Sequence, residues 1–179
     1  MNEDKKQKKN FCILWCFIIC SVVFCVIYFV GGIHYAVNDD IAMREIASGV
    51  RSGTPDGHLV YIKYPLGWFI CMLYSVVSRS IDWYGLVLLG SLFLAAMLLT
   101  YSVHCAVKDK GMEIVFHLIN LLLIMRHIYF FQWTICAAYC GIAGVVYYFS
   151  INYDSKIHKM IQKAIAMIML WQCYLKWSW

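Results

Sequence analysis

The run Phe11–Ile33, FCILWCFIICSVVFCVIYFVGGI, decides what kind of chain this is. It is uncharged and apolar throughout, and about 20 such residues cross the hydrocarbon core of a bilayer as a helix. Inside lipid a helix satisfies every backbone N–H and C=O from its own turns, which an open strand cannot do. The residues before it, MNEDKKQKKN, bring Lys5, Lys6, Lys8 and Lys9 to one flank. That basic flank resembles the start of a secretory signal, but the apolar run is longer than a signal core of about 7–15 residues and lacks a small-x-small cleavage site. Residues 11–33 therefore read as an uncleaved first span. Lysines gather on the cytoplasmic side of spans, so residues 1–10 read as a basic cytoplasmic tail and residues 34–58 as an extracytoplasmic loop.

The same reading extends along residues 59–179. The 179-residue chain is 63% hydrophobic and only 14% charged, against the roughly one-quarter charged of a soluble domain. Its apolar residues fall in blocks: Leu59–Ser78, Gly85–Val107, Glu113–Phe131, Ile135–Ile151 and a last one from Ala164. The expected fold is all-α, a polytopic transmembrane bundle of about six spans with a short interfacial amphipathic helix after the first. The chain ends inside an apolar block, at WQCYLKWSW, which reads as a bundle truncated at its C-terminus. The expected location is the cell membrane, multi-pass, with a cytoplasmic N-terminus.

One observation conflicts with six alternating spans. Strict alternation from a cytoplasmic start places Lys108, Lys110, Lys156 and Lys159 outside and Arg79 and Arg126 inside, against the positive-inside tendency. A re-entrant or misassigned fourth stretch, Glu113–Phe131, would produce that conflict.

The nine cysteines form no CxxC pair and no zinc-ligand spacing with histidine. Cys12, Cys16 and Cys20 recur on one helical stripe and read as small apolar side chains; Cys12, near the cytoplasmic end, is also a conceivable acylation position. Arg126 and His127 read as the marker of a loop between two spans.

The chemically capable residues gather in the loop 34–58. Residues 39–51, DDIAMREIASGVR, have helical periodicity, with Ala42, Met43, Ile46, Ala47 and Val50 on one face and Arg44, Glu45, Ser48 and Arg51 on the other. Such a helix would lie on the outer membrane surface, apolar face down. Asp39 and Asp40 at its start have several readings. They can cap the helix together with Asn38, or one can act as a general base toward a hydroxyl. They can hold a divalent cation such as Mg²⁺ or Mn²⁺, or pair with Arg44, Arg51 or Lys63. Arg44, Arg51, His58 and Lys63 lie within twenty residues at the outer boundary, where they either snorkel to headgroups or bind a lipid-linked phosphate. Lys63 interrupts an apolar stretch beside Tyr61, Tyr64 and Pro65, and an ionisable group there is a functional candidate.

The order of basic N-terminus, single span and then YAVNDDIAMREIASGVRSGTPDGHLVYIKYPLGWFICMLY (residues 35–74) resembles the N-terminal part of polytopic GT-C-type glycosyltransferases. Those proteins carry an acidic residue or pair in the first extracytoplasmic loop, and some have a turn like GTPDGHL (53–59) entering the second span. The segment MRHIYFFQWTICAAYCGIAGVVYYF (125–149) is similar to another recurrent stretch of such proteins, less specifically. The resemblance implies transfer of a sugar from a polyprenyl-phosphate donor at the extracytoplasmic face to a glycan or lipid acceptor, in cell-envelope glycan assembly. Asp39 or Asp40 would then be the catalytic base or a metal-associated carboxylate. Arg44, Arg51, His58 and Lys63 are donor-phosphate candidates by charge and position. Nucleic acid is not an expected partner. The alternative expectation is a small non-catalytic membrane protein, a transporter or flippase component, or an inactive fragment.

Overall fold

Long apolar runs that can satisfy their backbone only from within fold as helices, and helices make up nearly all of this chain. The computed structural model describes residues 2–31, 34–150 and 156–174. The helices are α1 (Asn2–Gly31), α2 (Asn38–Ser48), α3 (Tyr64–Val76), α4 (Trp83–Ala106), α5 (Lys110–Tyr129), α6 (Trp133–Ser150) and α7 (Lys156–Tyr174). Two short strands, β1 (His34–Tyr35) and β2 (Phe130–Phe131), pair in parallel with His34 opposite Phe130. The pair ties the chain leaving α1 to the chain leaving α5, and Ala36 N–H extends it to the Phe131 carbonyl at 2.8 Å. The Cys12 side chain and the aromatic run from Leu175 to Trp179 lie outside the described residues.

The α4, α5 and α6 helices are long and apolar enough to cross a membrane. Each boundary has a local cause. Asp82 caps α4 by accepting from Gly85 N–H at 3.1 Å, and Asp109 caps α5 by accepting from Met112 N–H at 2.8 Å. The α4–α5 connection is the polar turn 107–109, so the two helices run antiparallel. The α1 helix runs antiparallel to α4: Phe17 and Phe24 both set their rings edge-on to Phe93, with centroids 5.6 and 5.1 Å away. Small residues let α6 approach its neighbours. Cys140 Sγ reaches the Ser91 carbonyl of α4 at 3.5 Å, and a Cβ on Gly144 would meet the Ala166 carbonyl of α7 at 3.1 Å. Gln162 of α7 donates to the Tyr147 and Tyr148 carbonyls, two of the acceptors left open at the end of α6.

Cysteine serves the core as an apolar residue: Cys16, Cys20, Cys136 and Cys140 are buried, and the described cysteines are free thiols.

The largest departure from the sequence reading is the block Leu59–Ser78. Only Tyr64–Val76 is helical, 13 residues with Pro65 in the first turn. That is about 20 Å of helix against a hydrocarbon core of about 30 Å. The chain before α3 folds back alongside it, since a Cβ on Gly67 would fall 2.2 Å from the Gly57 carbonyl oxygen. Arg79, beyond α3, donates from Nη1 to the carbonyl of Gly53, before it, at 3.1 Å. The loops on either side of α3 therefore meet at one end of the bundle. That end also holds β1, β2, α2 and the starts of α4 and α6. The 107–109 turn, the start of α1 and the start of α7 lie at the other.

The α2 helix is also shorter than the expected 39–51. Gly49 stops it in the left-handed region (φ 77), its N–H returning to the Glu45 and Ile46 carbonyls. A Cβ there would fall 2.4 Å from the Thr54 carbonyl carbon, so the turn needs glycine twice over. Met43 and Ala47 face inward as the periodicity implies, but Val50 lies past the stop and is exposed. The apolar face covers the end of the helical bundle, packing on α3 and α4.

A carboxylate and tyrosine site at the α2 end

Asp40 shares the inward face of α2 with Met43 and Ala47 and is 1% exposed. A carboxylate in that position requires donors, and it finds two on distant elements. Tyr84 of α4 donates its hydroxyl to Oδ1 at 2.6 Å, and the Trp133 backbone N–H donates to the same oxygen at 3.1 Å. Trp133 opens α6, so its N–H is one of the four that a helix leaves without an internal partner. Asp40 thus caps a helix 93 residues away, where the helix dipole also favours a negative charge.

A second carboxylate, Asp82, stands directly before α4. Its Oδ2 accepts from Tyr35 Oη at 2.6 Å, and its Oδ1 accepts from Tyr74 Oη at 3.0 Å while capping α4. Tyr74 Oη in turn accepts from Tyr84 N–H at 3.2 Å, joining the two carboxylates in one network. Arg44 of α2 closes it: Nη1 lies 3.9 Å from Asp82 Oδ2, and the guanidinium stands 5.8 Å from the centre of the Tyr35 ring. Burial, and then the bond to Asp82, push the Tyr35 phenol far above its ordinary pKa, so it stays a donor. The Arg44 and Asp82 side chains are both 40% exposed, and the network opens to the surroundings through them.

Asp39, the other half of the adjacent pair, is exposed. Successive helical residues project about 100° apart, so the two carboxylates enter different surroundings. Neither Asn38 nor Asp39 makes the expected cap: the N-cap of α2 is Val37, with no side-chain bond. Among the described residues no group of three or more His, Cys, Asp or Glu is placed to hold a metal ion.

The four candidate phosphate-binding cations divide. Arg44 joins the network. Arg51 pairs with Glu45 at 2.6 Å, and His58 pairs with Asp56 at 2.8 Å while its ring lies against Tyr64. The His58 N–H and ring hold the exposed Asp56 carboxyl below the usual range. Lys63 stands at the start of α3 as its N-cap residue. Arg126 and His127 fall in the last turn of α5, before the strand pair, where a loop was expected.

Asp82, Tyr35, Tyr74 and Tyr84 escaped the sequence reading. The available signal was small: an Asp directly before an apolar run is a helix-start signature, which says nothing of what else it binds. No family model, no curated protein and no solved structure matches the chain.

Proposed function

We propose that this chain is a GT-C-like membrane glycosyltransferase, with Asp39 as the acting carboxylate and Asp40 as the residue that positions it. The supporting observation is the anchorage of Asp40 on Tyr84 and on the start of α6. It fixes α2 so that Asp39 and Arg44 are held at the open end of the bundle. In the proposed reaction Asp39 accepts the proton of an acceptor hydroxyl as its oxygen bonds to the sugar C1. The C1–O bond to phosphate breaks, and the polyprenyl phosphate leaves with the electron pair. Arg44 neutralises the charge that develops on it.

Placement of this site outside the cytoplasm draws support from the short α3. If Tyr64–Val76 does not cross, crossings by α1, α4, α5 and α6 put Lys5, Lys6, Lys8, Lys9, Lys108, Lys110, Lys156 and Lys159 on one side. Asp39, Arg44, Arg79 and Asp82 then fall on the other. The conflict with the positive-inside tendency disappears, because it arose from counting α3 as a span.

The test is transfer of labelled sugar from a panel of polyprenyl-phosphate donors in membranes carrying the full chain. Asp39→Asn is expected to abolish transfer while leaving insertion and thermal stability unchanged, whereas Asp40→Asn lowers stability. Wild-type transfer by Asp39→Asn, or no transfer by the wild-type chain from any donor, contradicts the proposal.

A further inference from the structure

A cavity of about 570 Å³ lies on the flank of the bundle, among α1, α4 and α5, away from the site described above. Its volume is within the roughly 300–1,000 Å³ of small-molecule sites. Ile19 and Val23 of α1 face Leu118, Leu121 and Ile124 of α5 across it. Walls of that kind suit a hydrocarbon body. The ionisable groups collect toward the 107–109 turn, where His104, Glu113 and His117 line the cavity.

Glu113 is 7% exposed, and both of its oxygens are engaged. His104 Nδ1 lies 2.7 Å from Oε1, with His117 Nε2 at 3.7 Å from the same atom, and Lys110 Nζ donates to Oε2 at 2.6 Å. The acid therefore gathers basic side chains, and its charge is matched by Lys110. What the cluster offers outward is donors. The Lys110 side chain is 77% exposed and keeps two further ammonium protons, and the His104 side chain is 42% exposed. In the adjoining turn the charge of Lys108 is offset by Asp109, whose carboxylate is engaged in capping α5.

We propose that this cavity binds an acyl chain of an anionic phospholipid, with the lipid phosphate resting against Lys110 and His104. Basic groups between helices on the cytoplasmic side recognise anionic headgroups in this way. The site takes from the functional reading that α4 and α5 cross the bilayer with the 107–109 turn on the cytoplasmic side. It does not depend on sugar transfer, and it lies at the opposite end of α4 from Asp40.

The experiment uses the full chain purified in neutral detergent and titrated separately with phosphatidylglycerol, phosphatidylcholine and inorganic phosphate. Bound molecules are counted by native mass spectrometry. Saturable retention of phosphatidylglycerol is expected, about tenfold tighter than phosphatidylcholine, a factor equal to about 1.4 kcal/mol. Lys110→Gln should bring phosphatidylglycerol down to the phosphatidylcholine level, and Leu118→Trp, which fills the slot, should remove both. Leu118 is an exposed residue of the cavity wall and Lys110 an exposed side chain bonded to the wall residue Glu113, and the melting curve of each variant reports that it is folded. Equal retention of the two lipids, phosphatidylglycerol binding that survives both substitutions, or inorganic phosphate binding as tightly as the lipid overturns the proposal.

Discussion

The two polar clusters at opposite ends of the bundle are built on different principles. At the α2 end, Asp40 and Asp82 take donors from β1, α4 and α6 over sequence separations of 47, 44 and 93 residues, besides Tyr74 of α3 eight residues away. At the other end, Glu113 takes its partners from its own helix and from the end of α4, no more than nine residues away. The first cluster can form only when the tertiary structure has formed, and it locks that structure. The second forms with a single helical hairpin and leaves its lysine exposed. A carboxylate that caps a distant helix is structural by position, whatever chemistry its neighbour performs.

Removing each acid in turn should break the comparison if it is wrong. Asp40→Ala deletes two charge-assisted bonds and strands the Tyr84 hydroxyl and the Trp133 N–H inside the protein. A loss of about 3–5 kcal/mol is expected, measured by reversible unfolding in mixed micelles, with α2 becoming sensitive to protease. A loss below about 1 kcal/mol would show that Asp40 does not lock the fold.

Alkaline pH should act next, through Tyr35 at the α2 end. The folded state keeps the Tyr35 proton to higher pH than the unfolded chain does, because burial and the Asp82 bond raise its pKa from 10.0. The stability it contributes is whole below that value and falls as pH rises beyond it, since the unfolded chain releases the proton first. Tyr35→Phe is expected to show a shallower decline of stability above about pH 10 than the wild-type chain. Identical slopes would mean that the Tyr35 proton is not held.

Glu113→Gln should have the smallest effect, under about 1 kcal/mol, because its ammonium partner is largely in solvent. The same unfolding assay checks it. A cost matching that of Asp40→Ala would erase the distinction between the two ends.

Much of the architecture was legible in the residues themselves. The uncharged run from Phe11, the period of Met43 and Ala47, and the adjacent Asp39 and Asp40 each carry a local signature that folding preserves. The misreading was equally local in origin. Leu59–Ser78 has the composition of a span, and composition does not separate a full crossing from a 13-residue helix with its lead-in folded back upon it. Lys63, Pro65 and Gly67 marked where that helix starts. The partners of Asp82 could not be read at all, because Tyr35 meets it only when β1 pairs with β2 and carries it there.

The placement of both loops flanking α3 on one face of a membrane, with the 107–109 turn on the other, is the central claim, and it can be tested directly. Cysteines introduced at Ser52, Arg79 and Lys108, in an otherwise cysteine-free chain, would be treated with a membrane-impermeant maleimide on intact cells. The account predicts that Ser52→Cys and Arg79→Cys label at once and that Lys108→Cys labels only after the membrane is opened. Labelling of Ser52→Cys and Arg79→Cys from opposite sides would make α3 a span and contradict it.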